Sequence, residues 1–410
     1  MRSAVPLDAV LLGVAMFMVS AAANILTPLL PLVQRDFAVD YVTAGVLVSA
    51  FGLARLALDL PAGFLEARLG GPRLAGAGYA LLLAGSLLTA LAPTFELAVV
   101  GRVGMGLGCA VVSVVVLTTL SSIAPANART RVLTCYSVSN NTAIGIFPVV
   151  GGVVGVLFGW RSTMLLCGLL ALISASLLGW VLPRARAASR ARAPTAPQRE
   201  NRLAISRLGL LALGAVYFGV MINMINRHGF RNTTLPLFAA DQLGLNAVQI
   251  ASGVSLMAVV GLLVAIPAGM LADRWSRRGV ICAGFLVLAI GDISFLGVSS
   301  YATFLLAAFV LGLGDFFSAS QTAALTESVP RAWRSRVLGG YRFSVDLGAA
   351  VGPVLLATLL QHTGYQTMLF AMIGLLLAAA ASGWTGALAA RSSRAPDPER
   401  PATSETVASE

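Results

Sequence analysis

Charged side chains interrupt several long apolar stretches of this sequence, and four of them form two pairs with the same spacing. Arg55 and Asp59 are four residues apart, and so are Arg342 and Asp346. Residues four apart share one face of a helix, so each pair can neutralise itself within its own helix. The pairs can also meet each other, Arg55 with Asp346 and Asp59 with Arg342. Ionisable groups in an apolar setting generally find a partner, and both arrangements stay open.

Two aspartates stand inside other apolar stretches. Asp315 lies in the middle of one, in Gly312-Leu-Gly-Asp-Phe-Phe-Ser-Ala-Ser-Gln321. A carboxyl there can hold a proton and a cationic substrate in turn, so Asp315 is the first candidate for proton coupling. The alternative is a protonated or Ser/Gln-bonded carboxyl that never changes state. Asp292 is expected to face the scaffold or to lie near the outer surface.

The segment 223–232 is the most polar of the apolar stretches, and it offers hydrogen-bond donors with a net positive charge. Asn24, in the first stretch, adds an amide at a comparable position. A lone histidine is more often a bonded structural residue than a proton switch. The candidates for substrate binding in the later segment are Asn223, Asn226, Arg227 and His228.

The segments that hold these residues are predicted to be membrane helices. Of the 410 residues, 57% are hydrophobic and only 11% are charged, and the mean hydropathy is +0.85. Soluble proteins carry about 25% charged residues, and about 20 apolar residues suffice to cross a membrane. Twelve spans are predicted, near 8–33, 42–65, 73–92, 96–121, 131–157, 162–182, 208–238, 247–272, 279–299, 302–325, 336–360 and 365–390.

The basic residues predict how the chain is oriented in the membrane. All 28 are arginines, and they give the chain a formal charge of +11. Most lie in the loops on one side, which places both termini in the cytoplasm of a multi-pass protein of the cell membrane. The charge therefore indicates orientation and contact with membrane lipid, and nucleic acid is not expected as a partner.

The chain is an internal duplication. Pro61-Ala-Gly-Phe-Leu-Glu-Ala-Arg-Leu-Gly70 recurs as Pro267-Ala-Gly-Met-Leu-Ala-Asp-Arg-Trp-Ser-Arg-Arg-Gly279, 206 positions later because 267 − 61 = 206. Elsewhere the shift is 205, as from Asp36 to Asp241. A repeated membrane unit generally places a shared site between its halves.

One segment separates the two copies of the repeat, and another follows the second copy. Residues 183–207 hold seven arginines with Ala, Pro and Ser, a composition typical of a cytoplasmic linker. The predicted units are an N-terminal six-helix bundle (1–182), this linker, a C-terminal six-helix bundle (208–390) and a disordered cytoplasmic tail (391–410).

This all-α architecture of two pseudo-symmetric bundles resembles the major facilitator superfamily over essentially the whole chain. The second copy of the repeat matches the family's loop motif at Gly269, Leu271, Ala272, Asp273, Arg274, Arg277 and Arg278. The first copy keeps Gly63, Leu65, Arg68, Gly70 and Arg73. Ala67 replaces the acid that braces the outward-facing state in the family. The cross-pairs of Arg55 and Arg342 are a candidate cytoplasmic gate in its place.

Two more motifs carry the resemblance. Arg102, Gly106 and Gly108 match an Arg-x-x-x-Gly-x-Gly element in which the family's buried arginine is linked to proton transfer. The segment 145–152 resembles an element of the family's drug:proton antiporters, with Phe147 in place of a glycine. Gly/Pro clusters also serve close helix packing, so that reading stays open. The residues of this second motif include Pro148, Gly151 and Gly152.

The resemblance implies a secondary transporter that works by alternating access, with a small-molecule substrate and protons as its partners. Proton-coupled efflux of lipophilic or cationic compounds is the main prediction, and a carrier for sugars, metabolites or organic anions is the alternative. An enzyme is not expected, because the two histidines lie in no catalytic or metal-ligand pattern. We expect no cofactor, no metal and a monomer.

Overall fold

The computed structural model describes residues 7–124, 129–190, 207–274, 277–314, 321, 325 and 334–392. The protein is an all-α membrane protein built from two six-helix bundles. Ten helices in the described residues are long and apolar enough to cross a membrane. The predicted seventh span is not among them, and the tenth is described only as far as residue 314.

The elements follow the predicted spans in order. In the first half they are α1 Leu7–Val19, α2 Ala21–Asn24, a 3-10 turn Thr27–Leu29, α3 Leu30–Phe37, α4 Tyr41–Leu69, α5 Gly71–Leu91, α6 Phe95–Ile123, α7 Arg129–Phe158 and α8 Trp160–Arg190. In the second half they are α9 Arg207–Met224, a π-helical segment Ile225–Thr234, α10 Leu235–Gln242, α11 Ala247–Arg274, α12 Arg277–Ser294, a 3-10 turn Phe295–Gly297, α13 Tyr301–Leu313, α14 Arg334–Thr363 and α15 Tyr365–Ser392.

The first and seventh spans are therefore broken helices. The first consists of α1, α2, the 3-10 turn and α3, and the seventh consists of α9, the π-helical segment and α10. The sixth span runs on as helix through Pro183 to Arg190, inside the predicted linker. Arginine and alanine are good helix formers, and basic groups are favourable at a helix C-terminus.

Local sequence signals set several helix ends. Asp40 caps α4 by accepting a hydrogen bond from the Thr43 amide at 2.8 Å. Gly159 and Gly364 are equivalent in the repeat, since 364 − 159 = 205, and have φ values of 83° and 85°. Each lies between the last two helices of its half, where the reversal needs a left-handed residue.

Each half has its own hydrophobic core, and the halves meet along two helix pairs. The α4 helix packs on α14, and α7 packs on α11, so the second span meets the eleventh and the fifth meets the eighth. Small residues allow the approach. A Cβ at Gly52 would lie 2.9 Å from the Ala349 carbonyl oxygen.

A side chain at Gly152 is expected to force α7 and α11 apart. A Cβ there would lie 2.8 Å from both the Ala247 carbonyl oxygen and the Ala251 Cβ. We expect Gly152→Val to destabilise the protein by about 1–3 kcal/mol, as overpacking does, and to reduce transport. Thermal unfolding in detergent measures the first effect.

Gly179→Val is the matched control, because a Cβ at Gly179, also within a helix, would meet nothing within 4 Å. Equal unfolding temperatures for the two variants would contradict a packing role for Gly152.

Candidate transport site

The first span is interrupted between residues 20 and 29. Pro28 and Pro31 lack backbone N–H groups, so two helical hydrogen bonds cannot form there. Polar side chains take up the break. Asn24 Nδ2 donates to the Ser20 carbonyl at 2.8 Å, and Ser20 Oγ donates to Asn140 Oδ1 of α7 at 3.1 Å. Asn24, a predicted substrate ligand, is thus bonded back onto its own span.

Arg102 is the buried cation next to this break. It is 1% exposed, and its Nη1 donates to the Ala22 carbonyl at 2.8 Å. Its guanidinium lies 4.7 Å from the ring centroid of Phe51 on α4. Within the described residues, Nε has no hydrogen-bond partner and no carboxylate is within ion-pair distance. Arg102, in the fourth span, therefore contacts the first and the second span, and its Nε–H is an unused hydrogen-bond donor within the described residues.

The glycines of the Arg102 motif explain how α6 comes so close. A Cβ at Gly106 would lie 2.5 Å from the Phe51 carbonyl oxygen, and one at Gly108 would lie 2.5 Å from the Gly78 carbonyl oxygen. The motif therefore packs α6 on both α4 and α5 and fixes the depth of Arg102.

The π-helical segment of the seventh span occupies the position equivalent to the break in the first. Subtracting the repeat shift of 205 from 225 and 234 gives 20 and 29. Both bundles thus carry irregular backbone at one place, the feature that marks substrate sites in repeat-built transporters. Stretches of π-helix are rare and often functional.

The π-helical turn aligns two polar residues that an α-helix would separate. Residues five apart lie about 140° apart around an α-helix, whereas the wider turn of a π-helix brings them much closer together. Here Arg231 Nε donates to Asn226 Oδ1 at 3.0 Å. Asn226 Nδ2 in turn donates to Asp292 Oδ2 at 2.7 Å.

Asp292 was expected to face the scaffold or to lie near the outer surface, but its burial against another helix was not expected. It is the third residue from the end of α12, at the predicted outer end, but it is fully buried against the seventh span. The expectation did not include this burial, because the polar partners belong to another helix. The equivalence of 225–234 with 20–29 was a signal of this site that the sequence already held.

The other predicted ligands of the seventh span lie near its middle. Asn223 is buried, and its Oδ1 has no hydrogen-bond partner within the described residues. Arg227 and His228 are half-buried, and His228 feels the charges of Arg227 and of Arg55 on α4. The described centre is therefore rich in positive charge.

The predicted pair of Arg55 and Asp346 is present across the two halves. Arg55 Nη2 lies 3.8 Å from Asp346 Oδ1, and Asp346 is 5% exposed. Arg55 is the fifteenth of the 29 residues of α4, so the pair lies near the middle of this helix, and the cytoplasmic gate stays a prediction. Arg342 is half-buried on the same helix as Asp346.

Polar contacts also join the two halves at their predicted outer ends. Asp241 accepts from Arg35 Nη2 at 3.1 Å and from the Tyr41 hydroxyl at 2.8 Å. Gln361 Nε2 donates to Asp40 Oδ2 at 2.9 Å, and its Oε1 accepts from the Val42 amide at 3.1 Å. We call these residues the outer cluster: Arg35, Asp40, Tyr41, Val42, Asp241 and Gln361.

The outer cluster was not predicted, and it changes the assignment of the Arg55 pair. Since Arg55 and Asp346 are in contact while the outer ends are joined, the pair does not belong to the outward-facing state alone.

Hydrogen bonds from Thr43 hold the pKa of Asp40, a member of the outer cluster, below its ordinary value. The contribution of Asp40 to the stability of the outer cluster is therefore present at neutral pH, and it is lost as the pH falls through the lowered pKa.

Neutralising Asp241 is expected to favour opening of the outer ends. Exposed ion pairs contribute about 0.2–1 kcal/mol, so Asp241→Asn should raise the outward-open population by up to about fivefold. Spin labels at Pro93 and Ser299, exposed in outer loops of the two halves, would report the distance.

The repeat supplies the matched control. Asp36 is equivalent to Asp241, but it binds Arg161 and the Trp160 indole at 3.1 Å within one half. Asp36→Asn should leave the label distances unchanged. An equal shift in both variants would mean that the outer cluster does not hold the halves together.

The predicted loop motif is described only in part. Arg68 is exposed in the last turn of α4. Next to Ala67, Glu66 Oε1 accepts from the Thr118 hydroxyl of α6 at 2.6 Å, so this acid is bonded within its own half. Asp315 lies outside the described residues. The surroundings of Gly63 and the side chains of Asp59, Asp273, Arg274, Arg277 and Arg278 also lie outside the description.

The fifth-span motif is in close packing contact. A Cβ at Gly151 would meet the Ile25 carbonyl of the first span, and Pro148 is buried inside α7. Phe147, where the family motif has glycine, packs on Phe17 with ring centroids 4.8 Å apart. Its repeat equivalent is Gly352 (352 − 147 = 205), so only the second half keeps the small residue.

Known proteins resemble the chain, one of them over most of its length. It is 29% identical over 363 residues to "Chloramphenicol resistance protein" of Streptomyces lividans, which covers 87% of this chain and 90% of that one. It is 24% identical over 175 residues to "Probable sugar efflux transporter" of Mannheimia succiniciproducens, which covers 43% of this chain and 44% of that one.

A solved structure shares the fold. A bacterial homologue of the human lysosomal transporter Spinster, inward-facing and unoccupied, superposes with a TM-score of 0.75 at 14% identity, over 95% of this chain and 98% of that one. A sequence model of the Major Facilitator Superfamily matches residues 12–230 and 216–409. With two repeated bundles and a match in each, this chain belongs to the major facilitator superfamily, whose members are membrane transporters rather than enzymes.

Proposed function

We propose that this protein is a proton-coupled efflux transporter for lipophilic small molecules, and that it works by alternating access. One observation carries the proposal. The first and seventh spans are irregular at equivalent residues, 20–29 and 225–234, and each irregular segment contacts a buried ionisable side chain. Such paired interruptions surround substrate and coupling-ion sites in transporters built from repeats.

The substrate class follows from what lies around those segments. Phe51 stacks on Arg102, and Phe17 packs on Phe147, which gives apolar surfaces beside a few polar groups. The relative from Streptomyces lividans is a chloramphenicol resistance protein, which makes chloramphenicol the first compound to test. Transport of cationic compounds was also predicted, and that prediction depends on Asp315.

A carrier for sugars, metabolites or organic anions is the second candidate. Arg55 and Arg227 both lie within electrostatic reach of His228, and these three groups favour an anionic or hydroxyl-rich ligand. A relative described as a sugar efflux transporter supports the same alternative.

Uptake into liposomes tests both candidates. Purified protein in liposomes with an acid interior should accumulate labelled chloramphenicol as protons leave, and an ionophore that collapses the pH gradient should abolish the accumulation. Accumulation with an acid exterior instead would indicate symport. Uptake of a sugar or an organic acid, with none of chloramphenicol or of a cationic dye, would favour the second candidate.

The setting of the protein completes the proposal. It acts as a monomer in the cell membrane, with both termini in the cytoplasm and anionic lipid at its arginine-rich side. Reporter fusions at the two termini and cross-linking in membranes would test the orientation and the monomer.

A further inference from the structure

The cluster of Asp292, Asn226, Arg231 and Tyr365 holds a carboxyl whose hydrogen bonding is incomplete. Asp292 is fully buried, and one oxygen accepts the Asn226 amide at 2.7 Å. The other oxygen has no hydrogen-bond partner within the described residues. The Arg231 guanidinium contacts the far side of the same amide, so a neutral group lies between the two ionisable ones.

This arrangement suits a protonated carboxyl better than a charged one. A buried carboxylate is costly unless a cation contacts it directly, and within the described residues no cation lies within ion-pair distance of Asp292. Arg231 is nevertheless close enough to act on it electrostatically. Arg231 is therefore a partner for the charged form of Asp292, and its side chain has to move to make that contact.

The surroundings add one more ionisable group. Tyr365, at the start of α15, feels the charge of Asp292, and its hydroxyl is buried without a hydrogen-bond partner in the described residues. Its ring stacks on Phe238 of α10 with centroids 3.6 Å apart. The α13 helix has no charged residue, and the described charged and titratable groups facing Asp292 are Arg231 and Tyr365.

We propose that Asp292 is a proton-binding group of the second half, and that the π-helical segment changes its pairing when the proton leaves. This proposal rests on the proton coupling proposed above. With the proton bound, the neutral carboxyl accepts the Asn226 amide as in the structure. When the proton passes to water on the side to which the transporter is open, the carboxylate recruits Arg231 in place of the amide.

The change in the pairing of Arg231 is connected through packed helices to the contact between the two halves. Asn226 and Arg231 share a face only because the segment is π-helical, so moving Arg231 to Asp292 disturbs that turn. The backbone of α14 lies against it, since a Cβ at Gly229 would be 2.5 Å from the Gly352 carbonyl oxygen. The α14 helix also carries Asp346, which pairs with Arg55 of the other half.

Infrared difference spectra of the purified protein test proton binding without a substrate. Between mildly acid and mildly alkaline buffer, the wild type should lose the band of one buried protonated carboxyl. Asp292→Asn should lack this change. Glu96→Gln, which neutralises an exposed carboxyl, should retain it. A spectrum of Asp292→Asn identical to the wild type would overturn the proposal.

Transport separates coupling from structure. With chloramphenicol as the probe, Asp292→Asn should lose gradient-driven accumulation, while exchange without a gradient should fall much less than accumulation because an amide keeps the hydrogen bond to Asn226. Asp292→Glu should restore accumulation in part. Loss of exchange together with accumulation, in a variant that retains its thermal stability, would overturn the proton-binding role.

The failure of the proposed function would look different. If the wild type neither accumulates nor exchanges chloramphenicol, the proposed substrate is wrong, and the infrared change still decides whether Asp292 binds a proton. If the wild type exchanges chloramphenicol without any response to the pH gradient, proton coupling itself is wrong, and so is the role of Asp292 in it.

Discussion

Replacing Arg102 with alanine is expected to reduce transport by roughly ten- to a hundredfold, because hydrogen bonds to charged groups contribute about 1.5–3 kcal/mol. The substitution removes the hydrogen bond to the Ala22 carbonyl and the contact with the Phe51 ring. The broken part of the first span then loses its link to α6. Initial rates of proteoliposome uptake, normalised to the amount of folded protein, would measure the loss.

Arg102→Lys separates charge from geometry. An ammonium keeps the charge but cannot stack its plane on Phe51 while it donates to Ala22. We expect an intermediate rate. Wild-type transport by Arg102→Ala would remove Arg102 from the mechanism, and equal rates for lysine and alanine would show that shape rather than charge matters.

Reversing Arg55 alone is expected to cause the second large loss, and reversing Asp346 as well should restore transport. Arg55→Asp puts a second carboxylate beside Asp346 at the contact between the halves. Breaking a fully buried pair costs about 3–5 kcal/mol. Here Arg55 is 29% exposed, so we expect about 1–3 kcal/mol, measured as lower thermal stability and transport.

The rescue is the decisive result, because only a direct contact predicts that Arg55→Asp with Asp346→Arg recovers what each single change loses. The same reversal of Asp36 and Arg161, an exposed pair within one half, is the control. Its single changes should cost about 1 kcal/mol or less. If the double reversal of Arg55 and Asp346 remains inactive, their contact is incidental.

The membrane fold could be predicted from the sequence because the bilayer restricts the possibilities. Long apolar runs, arginine-rich loops and the 205-residue register led to two helical bundles, and the family match supports that architecture. The fifth-span glycines also pointed correctly to close packing, since a Cβ at Gly152 would meet α11. These features depend on local composition and periodicity, which a single chain displays directly.

The site was harder to predict because its geometry depends on how helices pair. The polarity of 223–232 was visible, but Asn226, which accepts from Arg231 in the π-helical segment, donates to Asp292, 66 residues further along the chain. The outer cluster was missed for a similar reason. Asp36 and Asp241 look alike in the repeat, yet one binds within its half and the other across the halves.

The repeat position of Arg102 shows how far the two bundles have diverged. Adding 205 to 102 gives 307, which is a buried alanine, and the second bundle carries its buried acid on α12 instead. Two copies of the first bundle would carry two such guanidiniums and no counterpart of Asp292, because position 87 (292 − 205) is a leucine. The two halves are therefore no longer interchangeable, and each supplies an ionisable group that the other lacks.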